Sequence, residues 1–223
     1  MTRTRLTTTA ALSAIALAST VMAAQPAMAG DTKWRLRIGP ASINHSESAS
    51  IDVGGAPLAG GSVNITNNRT LAAEIGYRFT PEWSVGFTFG APPTATIHGA
   101  GTAAALGEIG EVKYGPAALT LQYQFNTDGA LKPYVGAGAT YLIALDTSDG
   151  AVSGLKVDNS WGGVLQAGFE YKISDRMDFF FDVKKLFVDT TATGTVPAFG
   201  GAAAEADITL DSLIFHIGTT FHF

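Results

Sequence analysis

The sequence predicts an all-β protein, folded as an eight-stranded antiparallel transmembrane up-and-down β-barrel. Eight segments of the chain alternate between apolar and polar residues, which is the pattern of strands with two unlike faces. Charged residues make up only 15% of the chain, below the roughly 25% of ordinary soluble domains. After residue 30, no apolar run reaches the length of about 20 residues that a transmembrane helix needs. Together these observations favour a barrel that crosses a membrane with strands.

The first 29 residues have the features of a secretory signal peptide. Arg3 and Arg5 precede an alanine-rich apolar stretch, and Ala27–Ala29 forms a small-residue cleavage pattern. We predict cleavage after this pattern, which leaves residues 30–223 as one barrel domain. The loss of two arginines changes the formal charge from −5 to −7. This acidic balance argues against nucleic acid as a partner.

The first four alternating segments show why one face must be enclosed. In the first of them, Trp34, Leu36 and Ile38 share a face, opposite Arg35 and Arg37. Two arginine side chains are too costly to place against lipid. The arginine face is therefore predicted to point inward. The four segments are KWRLRIG (33–39), TLAAEIGYRF (70–79), WSVGFTFG (83–90) and ALTLQYQF (118–125).

The last four segments continue the pattern with one exception. Lys185 lies on the apolar parity of the seventh segment, near a strand end, where its ammonium group can reach the membrane interface. The eighth segment runs from about Ile208 to Phe223 and ends in alternating aromatic residues. The other three are PYVGAGATYLIAL (133–145), WGGVLQAGFEYKI (161–173) and MDFFFDVKKLFV (177–188).

The connections between these segments alternate in length. Outer-membrane barrels show this asymmetry, with tight periplasmic turns and longer external loops. Both ends of the barrel domain are then predicted to lie on the periplasmic side. The long connections are 44–68, 91–113, 146–158 and 190–207, and the short ones are 80–82, 126–132 and 174–176.

The polar parity of the strands is predicted to line the lumen. A soluble lipocalin-like barrel would carry its apolar face inward and its charges outward, but here the other face is too apolar and aromatic for water. Toward the outer ends of the strands the inward parity becomes apolar, at Ala72, Gly90, Leu142, Leu186 and Ile214, so we expect an outer pocket above a charged floor. The predicted lumen residues are Arg35, Arg37, Glu74, Arg78, Thr88, Gln122, Gln124, Gln166, Glu170, Lys172, Asp182 and Lys184.

Several stretches together resemble the outer membrane protein W family. They are NITNNRTLAAEIGYRF, LGEIGEVKYGPAALTLQYQF, KPYVGAGATY, DNSWGGVLQAGFEY, VDTTATG and the terminal IGTTFHF. The resemblance implies an eight-stranded outer-membrane barrel with a narrow lumen, which admits small, largely apolar solutes and passes them sideways into the membrane. It also implies that the barrel-assembly machinery recognises the strand ending in Phe223. Relatives with an apolar constriction carry bulky apolar residues at positions that correspond here to Thr88 and Lys184.

We therefore expect a narrow passive channel or receptor in the outer membrane, in contact with lipid and lipopolysaccharide, that takes up a small solute without a cofactor. The first alternative is a structural or adhesive barrel with a closed lumen, whose external loops bind partners.

The second alternative is a lipid-modifying membrane enzyme. His45 and Ser46 are adjacent, however, so in a strand they would point to opposite faces. We predict no enzymatic activity. We also predict no metal site, because the chain has no cysteine and its four histidines are scattered.

Overall fold

The computed structural model describes residues 33–223, so the predicted signal peptide lies outside the described residues. Within them, none of the helices is long and apolar enough to span a membrane. The helices of residues 33–223 are two short 3-10 turns, Ala104–Leu106 and Pro197–Phe199. The strands are β1 (Trp34–Asn44), β2 (Glu47–Val53), β3 (Ala56–Pro57), β4 (Gly61–Ile65), β5 (Asn68–Arg78), β6 (Trp83–Gly90), β7 (Thr94–Gly101), β8 (Glu108–Gln124), β9 (Leu131–Asp149), β10 (Ser153–Val157), β11 (Ser160–Lys172), β12 (Met177–Val196), β13 (Ala202–Leu210) and β14 (Leu213–His222).

Eight of these strands close into an antiparallel barrel, in the order β1, β5, β6, β8, β9, β11, β12, β14 and back to β1. At the base of the closing pair, Trp34 and Phe223 exchange two backbone hydrogen bonds of 3.0 Å each. Closure leaves no sheet edge in the membrane, where an unpaired backbone group would find no water. The predicted fold class is confirmed.

The two faces of the barrel differ as the alternation predicts. Phe87 on the outer face is 44% exposed, whereas Gln122 and Gln166 on the inner face are buried. Aromatic side chains gather where the strands meet the periplasmic interface, and two cross-strand pairs, Trp34 with Tyr77 and Trp83 with Tyr123, pack edge to face. Aromatic belts of this kind mark the level of the lipid headgroups.

The prediction of long external loops is wrong, because most of these segments are strands. They hold β2, β3, β4, β7, β10 and β13, and the outer parts of β8, β9 and β12 rise beside them. The predicted last strand is also two strands, β13 and β14, interrupted at Asp211 and Ser212. Stretches such as DTTATGTV do alternate, but threonine and alanine differ little in size and polarity, so the period is hard to see in the sequence.

These strands form an outer extension that continues the barrel as two facing sheets. One sheet contains β4, β7, β8 and β9, and the other contains β2, β13, β12 and β10. Apolar side chains such as Val63, Ile97 and Val196 fill the space between them. The extension is thus held by an apolar core of its own.

Side chains close the two seams where these sheets meet. The strand pairings of residues 33–223 do not join β2 to β4 or β9 to β10. At the first seam, the Glu47 carboxylate accepts the N–H of Ile65 at 2.9 Å. At the second, the Asn159 side-chain oxygen accepts the N–H of Ala144 at 2.7 Å. Three more side-chain bonds cross the second seam, where the Thr147 hydroxyl donates to the Leu155 carbonyl and the Asp149 carboxylate accepts the N–H groups of Gly154 and Leu155. Side-chain bonds of this kind lack the support of a continuous backbone ladder, so we expect the seams to be weaker than the paired strands.

We expect the backbone amide of Ala144 to exchange with deuterium several-fold faster in N159A than in the wild type. Loss of the side-chain acceptor removes about 1 kcal/mol of protection from that amide. Hydrogen exchange followed by NMR at single residues measures it. The matched control is D189A, which removes an acceptor of the Thr209 hydroxyl within the paired strands β12 and β13. Equal exchange in wild type and N159A would mean that Asn159 does not hold the seam.

Candidate functional site: apolar cavities above an ionic floor

The inward residues of the membrane barrel meet in a buried ionic network centred on Glu74. Arg37 Nη1 lies 2.6 Å from Glu74 Oε1, and Lys184 Nζ lies 3.2 Å from Glu74 Oε2. Arg37 also contacts Glu170 at 2.9 Å. With Arg35 and Asp182 the network holds three basic and three acidic side chains, all buried. Burial of so many charges is tolerable because each sign is matched by the other.

Two glutamine side chains connect the charged groups. Gln122 Nε2 donates to Glu74 Oε1 at 3.0 Å and its carbonyl oxygen accepts from Arg35. Gln166 Nε2 donates to Asp182 Oδ2 at 2.6 Å, and its carbonyl oxygen accepts from the Thr120 hydroxyl at 2.8 Å. The amides therefore add hydrogen bonds to carboxylate oxygens and to the Arg35 guanidinium group, while Arg35 Nε and Arg37 Nη2 have no hydrogen-bond partner within the described residues. The result is a continuous floor across the barrel.

Three predicted lumen residues lie at the margins of this floor. Thr88 donates to Glu74 Oε2 at 2.9 Å on its outer side, while Gln124 donates to Glu170 at 2.9 Å on its periplasmic side. Arg78 is half-buried and reaches Gln124 at 3.4 Å.

Lys172 does not line the lumen. Its side chain is 47% exposed and pairs with Asp175 in the adjoining turn at 2.8 Å. Lys172 lies on the inward parity of its strand. At this residue, however, the strand extends beyond the base of the barrel, so the side chain reaches water.

The floor has two aromatic members beyond the predicted lumen residues, Tyr134 and Phe180. The Arg37 guanidinium lies 4.2 Å from the ring centroid of Tyr134 and 5.9 Å from that of Phe180. Tyr134 also donates to Asp182 at 2.7 Å. A side chain at Gly168 would collide with the Tyr134 hydroxyl, so this glycine makes room for it. Both aromatics sit on the inward parity of their strands, and that parity was the available signal.

Above the floor, the interior becomes apolar and contains stacked cavities. The lower cavity, of about 40 Å³, rests on Lys184, Thr88 and His216. The next cavity along the barrel axis, which we call the middle cavity, has a volume of about 50 Å³ and shares Ile43 and Leu186 with the lower one. The predicted apolar outer pocket is confirmed, since the residues expected there line these two cavities: Ala72, Gly90, Leu142, Leu186 and Ile214.

A chain of hydrogen bonds crosses the wall of the middle cavity. His45 Nδ1 lies 2.8 Å from Ser212 Oγ and Nε2 lies 2.8 Å from the Tyr114 hydroxyl, which in turn reaches Asn68 Oδ1 at 3.1 Å. The Asn68 side chain then donates to the Thr94 carbonyl at 2.8 Å. Asn68 Oδ1 can only accept, so the Tyr114 hydroxyl donates to it. The Tyr114 oxygen then accepts from His45 Nε2–H. This leaves His45 Nδ1 without a proton, so it accepts from the Ser212 hydroxyl. The partner of His45 is thus Ser212 and not the neighbouring Ser46.

The barrel wall has a gap beside the lower cavity. Pairing between β6 and β8 ends at Thr88 and Ala118, and pairing between β7 and β8 resumes only at Thr94 and Lys113. The unpaired stretch contains Pro92, Pro93 and Pro116. Proline has no backbone N–H, so it cannot donate to a ladder. These prolines therefore account for the interruption of the hydrogen-bond ladder along β8.

The sequence model of the OmpW family matches residues 29–223. The chain belongs to the OmpW family. It is 30% identical over 194 residues to the dibenzothiophene metabolism operon protein PahQ of Pseudomonas aeruginosa, covering 87% of this chain and 90% of that protein. It is 32% identical over 177 residues to the outer membrane protein AlkL of Ectopseudomonas oleovorans, covering 79% and 76%.

Solved structures of two outer-membrane proteins have the same architecture. The crystal structure of OprG from Pseudomonas aeruginosa superposes with a TM-score of 0.80 at 26% identity, covering 86% of this chain and 96% of that one. The solid-state NMR structure of AlkL in lipid bilayers gives 0.70 at 30% identity, covering 90% and 94%. The chain is thus an outer-membrane β-barrel, as the sequence predicts.

We expect E74Q to lower the free energy of unfolding by about 3 to 5 kcal/mol, the cost of leaving buried charges without their partner. The amide keeps the shape of the carboxylate but leaves Arg37 and Lys184 with too little negative charge. Urea unfolding in detergent micelles measures the change. E205Q, the same substitution at an exposed position of the outer extension, is the control and is expected to have little effect.

Protonation of His45 is expected to weaken the outer extension in mild acid. Burial lowers the pKa of His45 to about 4, against about 6.5 in an unfolded chain. Between these values the unfolded state binds more protons, so stability is lost as the pH falls from about 6.5 toward about 4. Thermal unfolding measured by circular dichroism across this range should show a weaker pH dependence in H45Q. H98Q, which replaces a half-buried histidine of the same extension, should retain the wild-type dependence of thermal stability on pH.

Proposed function

We propose that this OmpW-family barrel is a passive uptake route for small apolar solutes. A solute enters the cavities from the outer extension and leaves sideways into the membrane. The observation that carries the proposal is the arrangement along the barrel axis: apolar cavities end on an ionic floor, and the wall gap lies beside the lowest of them.

The ionic floor favours a sideways exit over a straight path. An apolar solute that continued toward the periplasm would have to separate Glu74 from Arg37 and Lys184 and would offer no hydrogen bonds in return. Breaking a buried ion pair in this way costs several kcal/mol. Lipid beside the lower cavity offers the solute an apolar environment at no such cost.

The wall gap supplies the exit. Opening a paired region of the wall breaks a row of backbone hydrogen bonds. Between Thr88 and Thr94 the ladder to β8 is interrupted, and the chain bonds to β8 there through the Pro93 carbonyl, which accepts the N–H of Tyr114 at 3.1 Å. The residues of the gap that line the lower cavity include three small ones, Gly90, Ala91 and Gly115. A modest separation there is enough to connect the cavity with the hydrocarbon region.

The relatives point to solutes of the same character. The name of PahQ places that protein in an operon for the metabolism of dibenzothiophene, an apolar aromatic compound. We extend this chemistry to the present chain because its cavities are lined mainly by aliphatic side chains, such as Ile43, Leu142 and Leu186.

The partners are proposed on the same basis. The exposed apolar belt faces membrane lipid, and the outer extension rises to the level of lipopolysaccharide headgroups. We also propose that the barrel-assembly machinery recognises the last strand by Phe223, whose side chain is exposed at the periplasmic end.

Filling the lower cavity tests the route. Ala118 is buried and lines this cavity, so A118F should reduce uptake of toluene into cells or vesicles by tenfold or more. The control is A137F, which places the same side chain on the lipid-facing side of β9. Planar-bilayer recordings should show no steady ion conductance in either variant, because the floor is closed.

Two results would contradict the proposal. Unchanged uptake in A118F, with a properly folded barrel, would mean that solutes do not use the cavity. Equal uptake with and without the protein would leave the closed structural or adhesive barrel as the better description.

A further inference from the structure

His216 forms a polar point in the wall of the lower cavity. Its side chain is buried, with 1% exposure, and its ring lines the cavity together with Thr88 and Lys184. The Nε2 atom lies 3.2 Å from the carbonyl oxygen of Ala72. A carbonyl oxygen can only accept a hydrogen bond, so Nε2 carries the proton.

The other ring nitrogen of His216 is left as an acceptor. Within residues 33–223 the hydrogen bonds of His216 side-chain atoms comprise only that of Nε2, so Nδ1 has no partner. The ring is held in place by the Ala72 carbonyl and by an edge-to-face contact with Phe180, with 4.7 Å between ring centroids. Nδ1 is not among the fully enclosed unpartnered atoms of the described residues, which are Arg35 Nε and Arg37 Nη2, so a ligand in the cavity can reach it. A donor brought by such a ligand would form a hydrogen bond with it.

The neighbouring polar groups already have partners. The Lys184 ammonium contacts Asp182 and Glu74, and the Thr88 hydroxyl donates to Glu74. Much of the remaining lining is small or aliphatic: Ala41, Ile43, Ala72, Gly90, Ala118, Leu186 and Ile214. The His216 imidazole therefore presents, at the bottom of a largely apolar space, a nitrogen acceptor that makes no hydrogen bond within residues 33–223.

We propose that the lower cavity selects solutes that carry one hydroxyl group on a compact apolar body, and that this hydroxyl donates to Nδ1 of His216. The inference rests on the proposed function, because it names the class of solute that the uptake route prefers. The apolar body fills the space beside Ile214 and Leu186, while the hydroxyl replaces the missing partner of the imidazole.

The charges around His216 distinguish a neutral hydroxyl from other polar groups. The ammonium group of an amine would lie close to Lys184, which repels it. A carboxylate would compete with Asp182 and Glu74 for Lys184 and disturb the balanced floor. A phenol or an alcohol satisfies Nδ1 and leaves the ion pairs unchanged.

Phenol and toluene test the selection because they have the same shape and differ in one hydroxyl group. The protein in lipid nanodiscs, labelled with ¹⁵N in histidine, is titrated with each compound, and empty nanodiscs correct for partition into lipid. We expect phenol to shift the ¹⁵N resonance of His216 Nδ1 and toluene to leave it nearly unchanged. A structural role of His216 alone predicts the same response to both.

Variants separate the hydroxyl contact from the shape of the cavity. H216F keeps an aromatic ring but removes the acceptor, so it should weaken phenol binding about 3- to 10-fold, the value of one hydrogen bond. The affinity for toluene should change less than about 2-fold. H216N returns a side-chain oxygen near Nδ1 and should recover part of the phenol preference. I214V, in the same cavity wall, should change the affinities for phenol and toluene by the same factor.

The outcomes distinguish this inference from the proposed function. If both compounds are taken up but neither the resonance nor the H216F affinities discriminate between them, the hydroxyl selection is wrong and the uptake route stands. If neither compound binds the cavity or is taken up, the proposed function fails, and this inference fails with it.

Discussion

In the hydrocarbon of a membrane, a backbone N–H or C=O that lacks a partner in the protein cannot form a hydrogen bond with water instead. This constraint requires the eight long strands to close, and the bonds between Trp34 and Phe223 complete the ring at its base. Beyond the lipid the constraint relaxes. There the same strands continue as two sheets, and side chains such as Glu47 and Asn159 are sufficient to cap the backbone at the seams.

The ionic floor follows from closing a barrel of this size. An eight-stranded barrel is narrow enough for side chains to fill it. Here the filling is charged, and Arg37 shows how it is stabilised: carboxylates flank its guanidinium group, and aromatic rings lie against it. A network of this kind is rigid because moving one member leaves others without partners. The barrel thus acts as a plugged support for the cavities above it.

Alternation alone predicted most of the membrane barrel and its inner face. Arg37, Glu74 and Gln166 were assigned correctly inward because the period of a strand fixes the side of each residue. The same rule failed at Lys172, since parity gives the side of a residue but not the point where the barrel ends. Parity places Tyr134 inward as well, but it gives no sign that the Tyr134 hydroxyl reaches Asp182. Strands of threonine and alanine, as in β12 and β13, have too little contrast for their period to be read.

The height of the wall gap connects the floor with the proposed route. Paired residues of β6 and β8 end at Thr88, which also touches Glu74 at the top of the floor. The gap therefore begins where the ionic network stops. On the outer face at this level, Phe89 and Leu71 are exposed to lipid. On the route that we propose, a solute stopped by the floor would meet this interrupted part of the wall beside hydrocarbon. A change to the floor residues would then alter the direction of exit without any change to the gap itself.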